Sequence, residues 1–249
     1  KFSQNLLSDE SSWCLSLEES DLEGLPEFVI NSMSQAALDR DVKGYALTLS
    51  RSILEPFLQF SSNRKLREKA HLAWSSRGMN GGDTDNINIA KETLSLRTER
   101  ANILGYNSFA DFKLENQMAK NPKRVRDLLM AVWEPAKRKA NIDAKNLQKI
   151  MLKDGNTEAL KPWDWRYYAE KYKQTEYSLD ETEIKPYFQL DKMIEASFHC
   201  ANKLFNLEFK PIELDLYHPD VKAWEVTRSG NHVAIFIGDY YARSSKRSG

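Results

Sequence analysis

Four histidines, His71, His199, His218 and His232, are the residues of this 249-residue chain best suited to hold a metal or move a proton near neutral pH. A self-contained helical zinc site sets two of them one turn apart as His-Glu-x-x-His, so that both imidazoles reach one ion from the same face. None does so here. His71 is followed by Leu-Ala-Trp, His199 by Cys-Ala-Asn, His218 by Pro-Asp-Val and His232 by Val-Ala-Ile. The remaining metal-type set is His218, Asp220, Glu225, His232 and Asp239, spread over adjoining strands where the side chains could converge. The plainer reading of the same residues is solvated strand ends and a hydrogen-bonded histidine near a turn. His199 beside Cys200, on a helix with a buried face, reads as core packing rather than as a nucleophile pair.

Other chemistry is weakly written. The loop Asp83-Thr84-Asp85-Asn86 begins like a calcium loop, but Ile87 falls where an oxygen ligand belongs and Leu94 where a bidentate Glu is required. Its Asp and Thr are suited to capping the helix that follows. There is no G-x-x-x-x-G-K-[ST] to cradle a phosphate and no G-x-S-x-G to present a nucleophile. Trp163, Trp165, Tyr167, Tyr168 and Tyr172 could form a stacking platform, but aromatics at a helix start more often anchor packing. Arg243, Lys246 and Arg247 are too few for a phosphate-binding stripe and read as a solvated loop.

The elements that must position these residues are mostly helices. Ser20-Asp21-Leu22-Glu23 has the form of a capping box, which predicts a helix to about Asp39. Tyr45 to Ser50 is β-prone, and Ile53 to Phe60 and Leu66 to Trp74 carry apolar residues at helical spacing. A further helix runs from the acidic loop to Leu104, with Gly105 placed to end it. Asn121-Pro122 opens a long one, whose Val125, Leu128, Leu129, Val132, Ala136, Ala140, Ala144, Leu147 and Ile150 or Met151 keep one face apolar, with Pro135 as an expected kink. Pro162 to Tyr172 follows. On the next helix Tyr187, Leu190, Ile194, Phe198, Ala201 and Phe205 mark a buried face, giving eight to ten helices before residue 207. After Leu207 the period falls to two, at Leu214-Leu216, Trp224-Val226 and Val233-Ile235-Ile237, with Ser229-Gly230-Asn231 as a hairpin turn.

Thirty-six basic and thirty-six acidic residues leave no net charge, which removes the long-range field that draws nucleic acid or anionic lipid. Neither Cys14 nor Cys200 belongs to a C-x-x-C pair, which fits a reducing compartment. No stretch approaches the roughly 18 apolar residues of a membrane span.

Read in order, Leu160-Lys161-Pro162-Trp163-Asp164-Trp165-Arg166-Tyr167-Tyr168-Ala169-Glu170, Leu179-Asp180-Glu181, Ile184-Lys185-Pro186-Tyr187-Phe188, Leu204-Phe205-Asn206-Leu207, Tyr217-His218-Pro219-Asp220-Val221 and Gly238-Asp239-Tyr240-Tyr241-Ala242-Arg243 resemble the thimet-type zinc oligopeptidases. Earlier matches are the loop holding Asn86, Leu104-Gly105-Tyr106 and Gln117-Met118-Ala119-Lys120-Asn121-Pro122, so the likeness covers most of the chain. The tract Pro162 to Tyr168, with Lys185-Pro186-Tyr187, favours the peptidyl-dipeptidase branch over the oligopeptidase A branch.

The resemblance implies a mainly α fold: a multi-helix lobe over residues 1–207, then from 208 the first strands of the small sheet of an α+β, zincin-like catalytic region. It implies a zinc cofactor whose bound water, deprotonated with help from the Glu of His-Glu-x-x-His, attacks a peptide carbonyl. That helix and its further Glu ligand follow the Gly-Asp-x-x-Ala-Arg strand, so the resemblance sets every catalytic and metal residue beyond Gly249 and none within the chain. Substrate-contacting residues stay unassigned. The expected polypeptide is a piece of a longer one, cut at both ends and inactive by itself. Its expected partners are short unfolded peptides and the remaining C-terminal half, with neither nucleic acid nor membrane. The expected compartment is the cytoplasm, with the periplasm as the alternative. Other readings are an endo-acting oligopeptidase of the same family and a non-enzymatic helical binding module.

Overall fold

Asn121 accepts a hydrogen bond from the Arg124 amide, and Pro122 has no N–H to lose at the first helical position, so the longest element starts where the sequence sets it. The computed structural model describes residues 1–179, 181–243 and 245–246. It is mainly α, as expected, with two small antiparallel sheets where one, after residue 207, was expected, and among the described residues ten α-helices precede the second sheet. Asp180 and Arg247, both used above, lie outside the described residues.

Backbone contacts divide the chain into one unit spanning Lys1–Ser178 and a second beginning at Leu179. The first holds α1 (Phe2–Ser12), β1 (Cys14–Leu17), α2 (Glu27–Leu38), β2 (Tyr45–Thr48), α3 (Arg51–Phe60), α4 (Arg64–Ser75), α5 (Ile87–Ile103), α6 (Phe109–Leu114), α7 (Pro122–Lys153) and α8 (Pro162–Tyr177). β1 and β2 pair antiparallel, Cys14 opposite Thr48 and Leu17 opposite Tyr45. The main core gathers Val29, Met33 and Ala37 of α2, Ala46 and Leu47 of β2, and Ile53, Leu54, Phe57 and Leu58 of α3. The four α3 residues recur at helical spacing and so share one face. A smaller cluster joins Leu147 and Met151 of α7 to Tyr168 of α8.

The second unit holds α9 (Glu181–Ile184), α10 (Leu190–Phe205) and a sheet of order β3 (Leu207–Ile212), β4 (Lys222–Arg228), β5 (Asn231–Gly238). Ser229 and Gly230 make the two-residue turn, and the β4–β5 register shifts between Val226 and Thr227. The α10 ring Phe198 lies over the sheet, stacked on Phe209 with centroids 4.1 Å apart and edge-on to Trp224 and Phe236.

Several expectations are corrected. α2 begins at Glu27, after Pro26, and the reciprocal cap lies earlier, where the Glu18 amide donates to Asp21 Oδ2 at 3.2 Å and opens a short 3-10 turn. Gly24 blocks the longer helix: its backbone is left-handed at φ +82°, and an added Cβ would lie 2.7 Å from the Phe60 carbonyl. α1 and β1 lie before Ser20, where no element was expected. The apolar face of α7 is buried only at Leu147 and Met151, because α8 packs on the end that carries them; Leu128, Leu129 and Val132 are 60% exposed or more. On α10, Ile194 is buried and Phe198 packs on the sheet, whereas Phe205 is exposed and Tyr187 belongs to the preceding turn. Leu214 and Leu216 are not strand residues, since β3 stops at Ile212 opposite Ala223 and leaves 213–221 as the connection.

Candidate functional site

The metal-type residues of the second unit fall into three separate places. His218 follows β3 in the connection, where its Nδ1 accepts the Asp220 amide at 3.2 Å and lies 3.6 Å from Asp220 Oδ2. His232 and Glu225 sit on neighbouring strands two register steps off directly opposite, which brings Nδ1 and Oε1 to 3.0 Å. Asp239, just past β5, is the hub of a third group. Tyr217 donates to it at 3.0 Å, Arg243 binds it with both terminal nitrogens at 2.8 and 2.5 Å, and Lys246 Nζ stands 2.7 Å from Oδ1. Lys246 also donates to the carbonyls of Asp239 and Tyr241. Arg243 and Lys246 are therefore not a loose solvated loop, as read from the sequence, but the two cations of a clamp. The Arg243 bonds, with those of Lys246 and Tyr217, hold the Asp239 carboxyl far below its usual range. The same bond raises the Tyr217 phenol, which stays protonated.

Gly238 has a reason of its own in this clamp. The Tyr240 ring folds back over it so closely that no Cβ would fit without moving the ring. His199 and Cys200 correct another expectation, since both lie on the exposed side of α10 and not in its core.

In the first unit the motif Pro162-Trp163-Asp164-Trp165-Arg166-Tyr167-Tyr168 has a structural centre in Asp164. Its side chain is fully buried and accepts the Lys161 amide at 3.0 Å, closing a cap at the start of α8. Arg64 reaches both of its oxygens at 2.9 Å, and Arg67, itself 1% exposed, adds a bond at 3.1 Å. Burial opposes ionisation of Asp164, yet the bonds from Arg64, the Lys161 amide and Arg67 outweigh it and hold the carboxyl below its usual range. Arg67 also donates to the Ser61 and Trp163 carbonyls and lies 4.1 Å from the Tyr167 ring centroid. Trp163, Tyr167 and Tyr168 thus anchor packing, the reading preferred from sequence, while Trp165 is exposed. His71 lies 6.2 Å from the Trp163 ring; burial first, and the charge of Arg166 second, lower its pKa.

The loop before α5 is occupied by its own hydrogen bonds. Asp9 of α1 accepts from the Gly78 amide at 2.6 Å, from Asn80 at 3.2 Å and from Thr84. Asn5 donates to Asn86, and Asn86 to the Phe2 carbonyl, both at 3.0 Å. Asp85 Oδ1 takes the Ile87 amide at 2.8 Å, so Asp85 supports the helix start and Thr84, against expectation, does not. Asp9 and Asn5 were invisible as partners in the sequence, because nothing local signals a contact across 69 to 81 residues.

Among the described residues no three His, Cys, Asp or Glu side chains are grouped so as to hold a metal ion. The described residues therefore do not fit a catalytic zinc.

The family model for Peptidase family M3 matches residues 57–249. The chain belongs to this family. The M3 match takes in Asp164, the α10 helix, the whole of the second sheet and the Asp239 clamp. Several relatives align over the full chain. Oligopeptidase A of Haemophilus influenzae is 33% identical and that of Escherichia coli 32%, the chain spanning 38% of each; Dipeptidyl carboxypeptidase of Escherichia coli is 30% identical, the chain spanning 37% of it. The chain thus spans less than two fifths of the length of these M3 relatives. Their identities are too alike to separate the two branches.

Proposed function

We propose that the chain is part of a zinc peptidase that hydrolyses short unfolded peptides, of the peptidyl-dipeptidase type that releases dipeptides from the C-terminus. The observation that carries this reading is the M3 match over residues 57–249, with a relative named Dipeptidyl carboxypeptidase aligned along the whole chain. The tract Pro162 to Tyr168 and Lys185-Pro186-Tyr187 support the branch. In this reading residues 1–207 are helical scaffold and the strands from 208 onward begin the catalytic region. The zinc, its ligands and the general base come from sequence outside residues 1–249, and no step of hydrolysis is assigned to a residue described above. The bare faces of α7 and β5 then belong against the remaining C-terminal half. A cytoplasmic location is supported by the two unpaired cysteines and by a 32% identical relative named Probable cytosolic oligopeptidase A, from Arabidopsis thaliana. Among the described residues no helix is long and apolar enough to cross a membrane.

A second reading, an endo-acting oligopeptidase, is favoured by the relatives named Oligopeptidase A at 33% and 32% identity. One experiment separates the two. The coding sequence is read past Gly249 for a His-Glu-x-x-His, and the complete product is assayed for zinc and incubated with an N-terminally blocked peptide. Sequential loss of C-terminal dipeptides, seen by mass spectrometry, supports the first reading and internal cleavage the second. A stop codon after Gly249, with no zinc and no cleavage, would leave a non-enzymatic helical module and overturn both.

A further inference from the structure

We draw no further inference here: the strongest candidate, the open apolar groove between residues 211–216 and 221–224 of the second unit, is an unpartnered face, and nothing in the structure shows what covers it.

Discussion

Asp164 shows what a buried charge demands. Its side chain has no access to water, and three groups satisfy it: two guanidinium ions and the amide that starts α8. Removing the carboxylate leaves Arg67 buried among carbonyls and the Tyr167 ring without a counter-ion. Asp164→Ala should therefore destabilise the fold by about 3–5 kcal/mol, read as a lowered urea midpoint. The double change Asp164→Leu with Arg67→Met should cost clearly less than the single one; equal losses would mean that the ion pair is not what the site lacks. His71 supplies a pH test. Its folded pKa is below the ordinary 6.5, so the unfolded chain binds the proton more readily. The sign follows: stability should fall as pH drops through about 6.5, and keep falling until the folded-state pKa is passed. His71→Gln should shrink the decrease in Tm between about pH 7.5 and about 5.5; an unchanged decrease would assign the acid sensitivity elsewhere. The motif holding Asp164 was legible in the sequence as a signature, but its job was not. A lone Asp between two tryptophans does not announce two arginines about a hundred positions away.

At the scale of elements, local rules worked where the signal was local. The Asn121-Pro122 start, the α3 stripe and the β4–β5 turn each rest on residues a few positions apart. Some of the misses were set by partners far along the chain. α2 begins late because Gly24 is held against Phe60, 36 positions on, and Leu214-Leu216 alternates correctly but has no strand to pair with. Arg243 and Lys246 were a local miss: Asp239 lies only four and seven positions before them, but the turn after β5 that brings the three together follows no regular period. Two glycines test this division. Gly24→Ala meets both a left-handed backbone and a fixed carbonyl, and should cost at least about 2 kcal/mol in thermal unfolding. Gly81→Ala has similar φ, +75°, but open space around it, and should cost about 1 kcal/mol. Equal losses would show that the approach to Phe60 adds nothing.

At the scale of the molecule, periodicity announces that a face is apolar without saying what lies on it. On α7 the stripe from Val125 to Met151 was readable, yet only its last turns are covered, and Leu128, Leu129, Val132 and Trp133 face solvent. On β5, Val233, Ile235 and Ile237 are likewise about half exposed, on a sheet-edge strand that carries no Asp, Glu, Lys or Arg. Natural edges are usually guarded by lysine, proline or a bulge; β5 has neither lysine nor proline, and its one irregularity, at Val233, leaves Ala234 to Gly238 in regular register and open to pairing with another chain. The 249-residue polypeptide alone should therefore bind the dye ANS and self-associate with rising concentration. The two surfaces can be told apart. Ile235→Lys places a charge on the edge and should lower the apparent mass by light scattering if strand pairing drives association. Trp133→Glu should do so if the helix face drives it. A monodisperse monomer without ANS binding, at tens of micromolar, would show that these faces are tolerated by water and would remove the main structural support for a covering C-terminal half.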